Sequence, residues 1–195
     1  MKKIGVFGGR FDPIHTGHLI VALDALEILG LSKIYFLVSY NAPHKESVVG
    51  FEDRLEMARL ATEASPEFEV LDIERKLSLE KSYTYLVMKR LREELGAHRE
   101  YYLLVGADQF NQLRTWYEYR KLAESTYIAV LRRPHQDVDE SILEELGDRV
   151  VILRSRLIEI SGTEIRSRVK NGKPIRYLVP PSVATYIEKK GLYRD

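Results

Sequence analysis

Residues 2–18 read Lys-Lys-Ile-Gly-Val-Phe-Gly-Gly-Arg-Phe-Asp-Pro-Ile-His-Thr-Gly-His, and this stretch decides the fold. Lys2 to Phe7 is a short apolar run suited to a buried strand. Gly8 to Ile14 turns the chain, and His15-Thr16-Gly17-His18 opens a helix. The helix shows in its apolar spacing: Leu19, Ala22, Leu23, Leu26 and Leu29 recur at steps of three and four, which share one helical face. Gly8 and Gly9 remove side chains where the backbone turns and where a phosphate could come close. The helix start offers unpaired N–H groups and a partial positive charge, which suit an anion. His15 and His18 add imidazole donors at the same spot. The glycines lack the spacing of the dinucleotide fingerprint or the P-loop, so by themselves they leave phosphate binding undecided.

The rest of the composition narrows the class. The chain has 195 residues, enough for one domain with a full core and a small appended part. Its charged residues make up 30% and nearly cancel, leaving a net charge of +1. Such a balance gives no global field for nucleic acid or an acidic membrane, so any anion must be caught by a local cluster. Cysteine is absent, which removes disulfide and thiolate chemistry and is compatible with a reducing cytoplasm. No apolar stretch is long enough to span a membrane.

Working outward, Lys33 to Ser39 is a second apolar strand, which with the first helix makes a βαβ unit and predicts a parallel sheet. Ligands of such sheets sit beyond the carboxyl ends of the strands. Lys45, in the loop leaving the second strand, falls at the same sheet end as His15 and His18. Further elements follow: a helix over 51–64, a strand over 68–72, a charged loop over 73–81, and a helix from Ser82-Tyr83-Thr84 to Leu95. Glu100 to Val105 is a fourth strand, ending in Gly106-Ala107-Asp108. A carboxylate there can accept from ribose hydroxyls, or it can cap a helix. Trp116, the sole tryptophan, lies among polar neighbours. Strands at 126–131 and 150–153 flank an acidic helical segment at 136–149, and Arg132-Arg133-Pro134 leaves the first of them. Ser161 and Glu164 stand as a capping box, which leaves Thr163 and Arg166 unaccounted for. A helix start with hydroxyls and an arginine one turn in would clamp a triphosphate tail. A terminal helix over 182–190 closes the pattern. The fold expected is α/β: a Rossmann-like open parallel sheet with helices on both faces. It forms a single domain over 1–195, whose C-terminal helical part covers about 161–195.

The string Gly8-Gly9-Arg10-Phe11-Asp12-Pro13-Ile14-His15-Thr16-Gly17-His18 resembles the signature of the nucleotidyltransferase α/β-phosphodiesterase superfamily, His-x-Gly-His after the first strand. Ser161-Gly162-Thr163-Glu164-Ile165-Arg166 resembles its Ser-x-Thr-x-x-Arg motif. Within the superfamily the chain looks like the bacterial nicotinate-nucleotide adenylyltransferases. It shares their Pro-His-Lys (43–45), Ser-Tyr-Thr (82–84), Gly-x-Asp (106–108), Trp116 and Arg-Pro (133–134) elements in the same order. It departs from them in Arg10, where Ser or Thr is usual, and in Leu86 and Val87, where an acidic residue and a threonine are usual.

The resemblance implies that ATP and nicotinate mononucleotide react to give deamido-NAD and pyrophosphate. It assigns His15, His18 and Arg166 to catalysis at the ATP phosphates. Gly8, Gly9, Gly106, Ser161 and Thr163 would bind ATP, and Lys45, Tyr83, Thr84, Asp108, Trp116 and Arg133 the mononucleotide. No Asp/Glu/His set has metal-cage spacing, so Mg²⁺ is expected to arrive on the ATP phosphates. The expected partners are small molecules, not nucleic acid or membrane, and self-association is left open. Nicotinamide mononucleotide as acceptor, pantetheine-phosphate transfer and a nucleotide sensor without turnover stand as alternatives.

Overall fold

The computed structural model describes residues 2–40, 47–77, 82–132 and 136–194. In chain order the elements are β1 (Lys3–Gly9), α1 (Thr16–Leu29), β2 (Lys33–Val38), α2 (Phe51–Thr62), β3 (Phe68–Leu71), α3 (Ile73–Leu77) and α4 (Thr84–Leu95). Then come β4 (Glu100–Gly106), α5 (Ala107–Phe110), α6 (Tyr119–Ser125), β5 (Tyr127–Leu131), α7 (Glu140–Leu146), β6 (Val150–Leu153), α8 (Gly162–Lys170) and α9 (Pro181–Lys190). The strands form one six-stranded sheet in the order β3-β2-β1-β4-β5-β6, with every neighbouring pair parallel.

Side chains alternate across the strands, and the alternation builds two cores. Phe7, Ile34, Phe36, Val38, Tyr102, Leu104, Ala129 and Leu131 point to one face, where they meet α1, α2, α8 and α9. Ile4, Val6, Tyr35, Leu37, Tyr101, Leu103, Val105, Ile128 and Val130 point to the other, against α3 to α7. Helices therefore cover both faces, as parallel strands buried on both sides require. The strand order reverses direction between β1 and β4. A sheet of this order opens its ligand crevice at that reversal, beyond the carboxyl ends of the two strands. Gly8 and Gly9 end β1, and Gly106 ends β4.

Two expectations are corrected. The charged segment 73–81 is not all loop, because Ile73–Leu77 forms α3. That helix is a single turn, too short for a periodicity, and it is held by burial of Ile73 and Glu74. The expected apolar face of α1 also turns out differently at Leu23, which is 42% exposed, while Ala22 and Ala25 are buried. The cause is Asp24, buried next to Leu23: its carboxylate accepts from the Arg156 backbone N–H (2.6 Å) and guanidinium (2.5 Å). A polar tether thus occupies a place on the packed side of the helix, and Leu23 is turned outward. Among the described residues no helix is long and apolar enough to cross a membrane.

Candidate active site

The turn from β1 to α1 places the two histidines. His15 is the N-cap of α1, in extended backbone, and His18 is its third helical residue. Their rings stack with centroids 3.6 Å apart and planes 26° apart. The backbone N–H of His15 donates to Nδ1 of His18 at 3.2 Å. Nδ1 is therefore an acceptor, and in the neutral ring the proton sits on Nε2. Phe11 packs edge-on against the His18 ring, with centroids 5.0 Å apart. A Cβ on Gly17 would come within 3.1 Å of His15 Nδ1 and of Ile158 Cγ2, so the glycine between the histidines leaves room for the folded-back imidazole. His15 is only 7% exposed, whereas His18 is half-buried and offers more of its ring to a ligand.

The backbone at this helix start is less open to an anion than the sequence implies. Thr16 N–H donates to the Leu178 carbonyl, and His18 N–H donates back to the His15 carbonyl, both at 2.9 Å. An anion placed here would consequently be met mainly by the imidazoles. Gly8 is exposed at the end of β1, and a Cβ there would meet nothing within 4 Å, so the crevice floor is open at that point. Gly9 differs: a Cβ there would lie 3.1 Å from the Phe11 ring.

The second motif lies directly against the first. Ser161 caps α8, its hydroxyl accepting from Glu164 N–H at 3.1 Å. One turn in, Arg166 Nη1 donates to the Asp12 carbonyl at 2.7 Å and Nη2 to Thr163 Oγ1 at 3.1 Å. Residues 154 apart in the chain are thereby joined, and a guanidinium and two imidazoles belong to neighbouring turns. Thr163 and Ser161 are exposed at the start of α8.

On the other side of the β1/β4 reversal, Gly106 caps α5 and Asp108 stands half-buried in its first turn. Tyr83 is the N-cap of α4 and Thr84 its first residue. The Tyr83 ring lies 4.9 Å from that of Tyr117, the residue after Trp116, so the 82–84 and 116–117 stretches meet. Trp116 is half-buried and packs partly on the second core, giving it a structural share. Lys45 and Arg133 lie outside the described residues. Among the described residues, no three His, Cys, Asp or Glu side chains gather as a metal site.

Three buried charges beneath the turn carry weight that the sequence reading gave them no role for. Asp12 is 5% exposed and accepts through Oδ2 from Val48 N–H at 2.7 Å. Arg54 is 3% exposed, and its Nη1 donates to the carbonyls of Arg10 and Ser39, each at 2.8 Å. It thus ties the chain leaving β1 to the chain leaving β2. Burial pushes this guanidinium below its usual range, opposed by Asp12, Tyr193 and Glu74 nearby. Burial pushes the Glu74 carboxyl up, opposed by the Tyr40 N–H, the Ser82 hydroxyl and Arg54. A signal for Arg54 does exist: it stands on the apolar side of α2, between Phe51 and Leu55, where a charge needs partners.

Residues 6–168 match the cytidylyltransferase-like family model, which agrees with the strand order and the paired motifs and sets the class: a nucleotidyltransferase. The solved Plasmodium falciparum nicotinic acid mononucleotide adenylyltransferase complexed with NaAD has the same fold, with TM-score 0.82 at 24% identity over 99% of this chain and 98% of that one. The chain belongs to the nicotinate-nucleotide adenylyltransferase family. It is 41% identical to the probable nicotinate-nucleotide adenylyltransferase of Desulfitobacterium hafniense, over 99% of this chain and 96% of the relative. It is 40% identical to that of Thermus thermophilus, over 98% and 100%.

Proposed function

We propose that this chain moves the AMP part of ATP onto nicotinate mononucleotide, forming deamido-NAD and releasing pyrophosphate. The observation that carries the reading is the bond from Arg166 to the Asp12 carbonyl, which sets the arginine of one phosphate motif beside the histidines of the other. In the reaction a phosphate oxygen of the mononucleotide attacks the α-phosphorus of ATP in line. The new P–O bond forms as the bond to the β-phosphate oxygen breaks, and pyrophosphate carries away the electron pair. A phosphate monoester is already ionised near neutral pH, so no general base is needed. The work is to align two anions and to meet charge as it develops.

In this reading His18 Nε2–H donates to the transferring phosphate, with His15 stacked beneath it, while Arg166, Ser161 and Thr163 hold the outer phosphates. Gly8, Gly9 and Gly106 admit adenosine to the backbone. Tyr83, Thr84 and Trp116 receive the pyridine ring, Asp108 a ribose, and Lys45 and Arg133 the mononucleotide phosphate side. The described donors are imidazoles, a guanidinium and hydroxyls, with no carboxylate cage. Mg²⁺ would therefore be held by ATP phosphates and water, screening their charge. The reading takes 1–195 as one catalytic domain working in the cytoplasm, where a chain without cysteine has no disulfide to lose.

Pyrophosphate release from ATP, measured with each mononucleotide, tests the reading. Turnover with nicotinate mononucleotide at the higher kcat/KM is expected. Equal values for acid and amide would remove the acid preference, and no release with either would leave a nucleotide-binding sensor.

A further inference from the structure

The buried carboxylate of Asp12 has a second partner far along the chain. Its Oδ1 accepts from the Tyr193 hydroxyl at 2.7 Å, across 181 residues. Tyr193 is 6% exposed and follows the left-handed glycine that ends α9. Its hydroxyl stays protonated, since burial and the facing carboxylate both push its pKa far up. One carboxylate therefore joins three segments: the turn after β1, the chain entering α2 at Val48, and the tail after α9. The carbonyl of the same residue holds Arg166.

What needs this bracing is the backbone beside it. Phe11, immediately before Asp12, has φ of 49°, a left-handed conformation that is unfavourable for a non-glycine residue. Tyr193 itself has φ of 62°. Strained residues of this kind persist only where surrounding contacts over-determine them. Phe11 carries the ring that seats His18, and Asp12 carries the carbonyl that seats Arg166.

We propose that Asp12 and Tyr193 are positioning residues for adenylyl transfer. Their hydrogen bond fixes the strained turn, and through it the placement of His18 and of the Arg166 guanidinium. This rests on the adenylyl-transfer reading above. Neither side chain is assigned contact with substrate; both act through residues that the reading puts at the phosphates.

The test compares the full chain with Tyr193→Phe, Asp12→Asn and the double variant. Tyr193→Phe removes one oxygen and keeps the ring in place, so it is the variant expected to fold. It should lower kcat about tenfold and raise KM for ATP, with KM for the mononucleotide unchanged, since misplacement of a catalytic group is costly even below 1 Å. The double variant should be no slower than Asp12→Asn alone, because the two residues act as one unit. Isothermal titration with ATP should show weaker binding in Tyr193→Phe, a readout that does not depend on turnover. A Tyr193→Phe protein with a lowered melting temperature but wild-type kcat, ATP KM and ATP affinity would overturn the proposal and leave the bond purely structural. So would additive losses in the double variant. If the wild type binds ATP but releases no pyrophosphate, the adenylyl-transfer reading fails; loss of ATP affinity in Tyr193→Phe would still support the bracing of Arg166.

Discussion

At the scale of single residues, the geometry separates two groups that look alike in the sequence. His15 is buried under its neighbour, whereas His18 is half-buried and, with Nδ1 accepting from the backbone, carries its proton on Nε2. His18→Ala should therefore lower kcat far more than it raises KM for ATP. Removing a preorganised donor of this kind costs on the order of 3 kcal/mol in the transition state, or more than a hundredfold. Steady-state kinetics check this; a kcat within a few-fold of wild type would make His18 a binding residue only. Arg166 spends two of its N–H-bearing nitrogens on separate acceptors, Asp12 and Thr163. A lysine ammonium cannot span both as a planar fork does. Arg166→Lys should accordingly recover only part of the activity lost in Arg166→Ala, and full recovery would reduce Arg166 to a point charge. His15, His18 and Arg166 were legible because they stand in strings with fixed spacing. Asp12 stood in the same string without a legible role, because its partners Val48 and Tyr193 are set by tertiary contact. Arg54 shows in the sequence only as a charge on the apolar side of α2, and its partners too are set by tertiary contact.

Among the elements, α8 shows how closely the two motifs are fitted. A Cβ on Gly162 would stand 2.9 Å from the Asp12 carbonyl oxygen and 3.2 Å from Arg166 Nη1. Gly162→Ala should gain up to about 1 kcal/mol of intrinsic helix propensity. It should lose more, because the obstructing atom is backbone and the Arg166 bond must lengthen. Lower kcat with little change in far-ultraviolet dichroism is expected; an unchanged kcat would mean that the turn yields freely. The helix α3 gives a pH test. Burial raises the Glu74 carboxyl above its unfolded value of about 4.3. The folded state therefore holds that proton more tightly, and stability falls as pH rises from the unfolded value through the raised one. Glu74→Gln keeps an acceptor for Tyr40 N–H without the charge. Thermal melts should show it gaining on wild type as pH is raised through that window. A gain confined to acid would contradict the sign. Most strands and long helices were legible from apolar period. The α3 turn was not, since five residues carry too little pattern and its stability comes from what packs on it.

For the whole molecule, the strand order puts β1 and β4 at the centre and β3 and β6 at the edges. The central strands are buried along their middle residues, while β3 and β6 are mostly half-buried. Amide exchange should be slowest in β1 and β4 and faster in β3 and β6, since exchange follows local opening. Uniform rates across the sheet would show that it opens only as one unit. The parallel sheet and its helical layers were readable from strands alternating with helices, but which strand lies beside which was not, because pairing order leaves no local trace. The bond between Asp12 and Tyr193 has a consequence for biosynthesis. The ribosome makes the turn at Phe11 well before its brace, which comes 181 residues after Asp12. Both phosphate motifs are already translated when the brace is still missing. Translation products that stop after α8 hold every motif residue of the site and lack the support of its turn, so under the proposed bracing their activity should fall below that of the full chain.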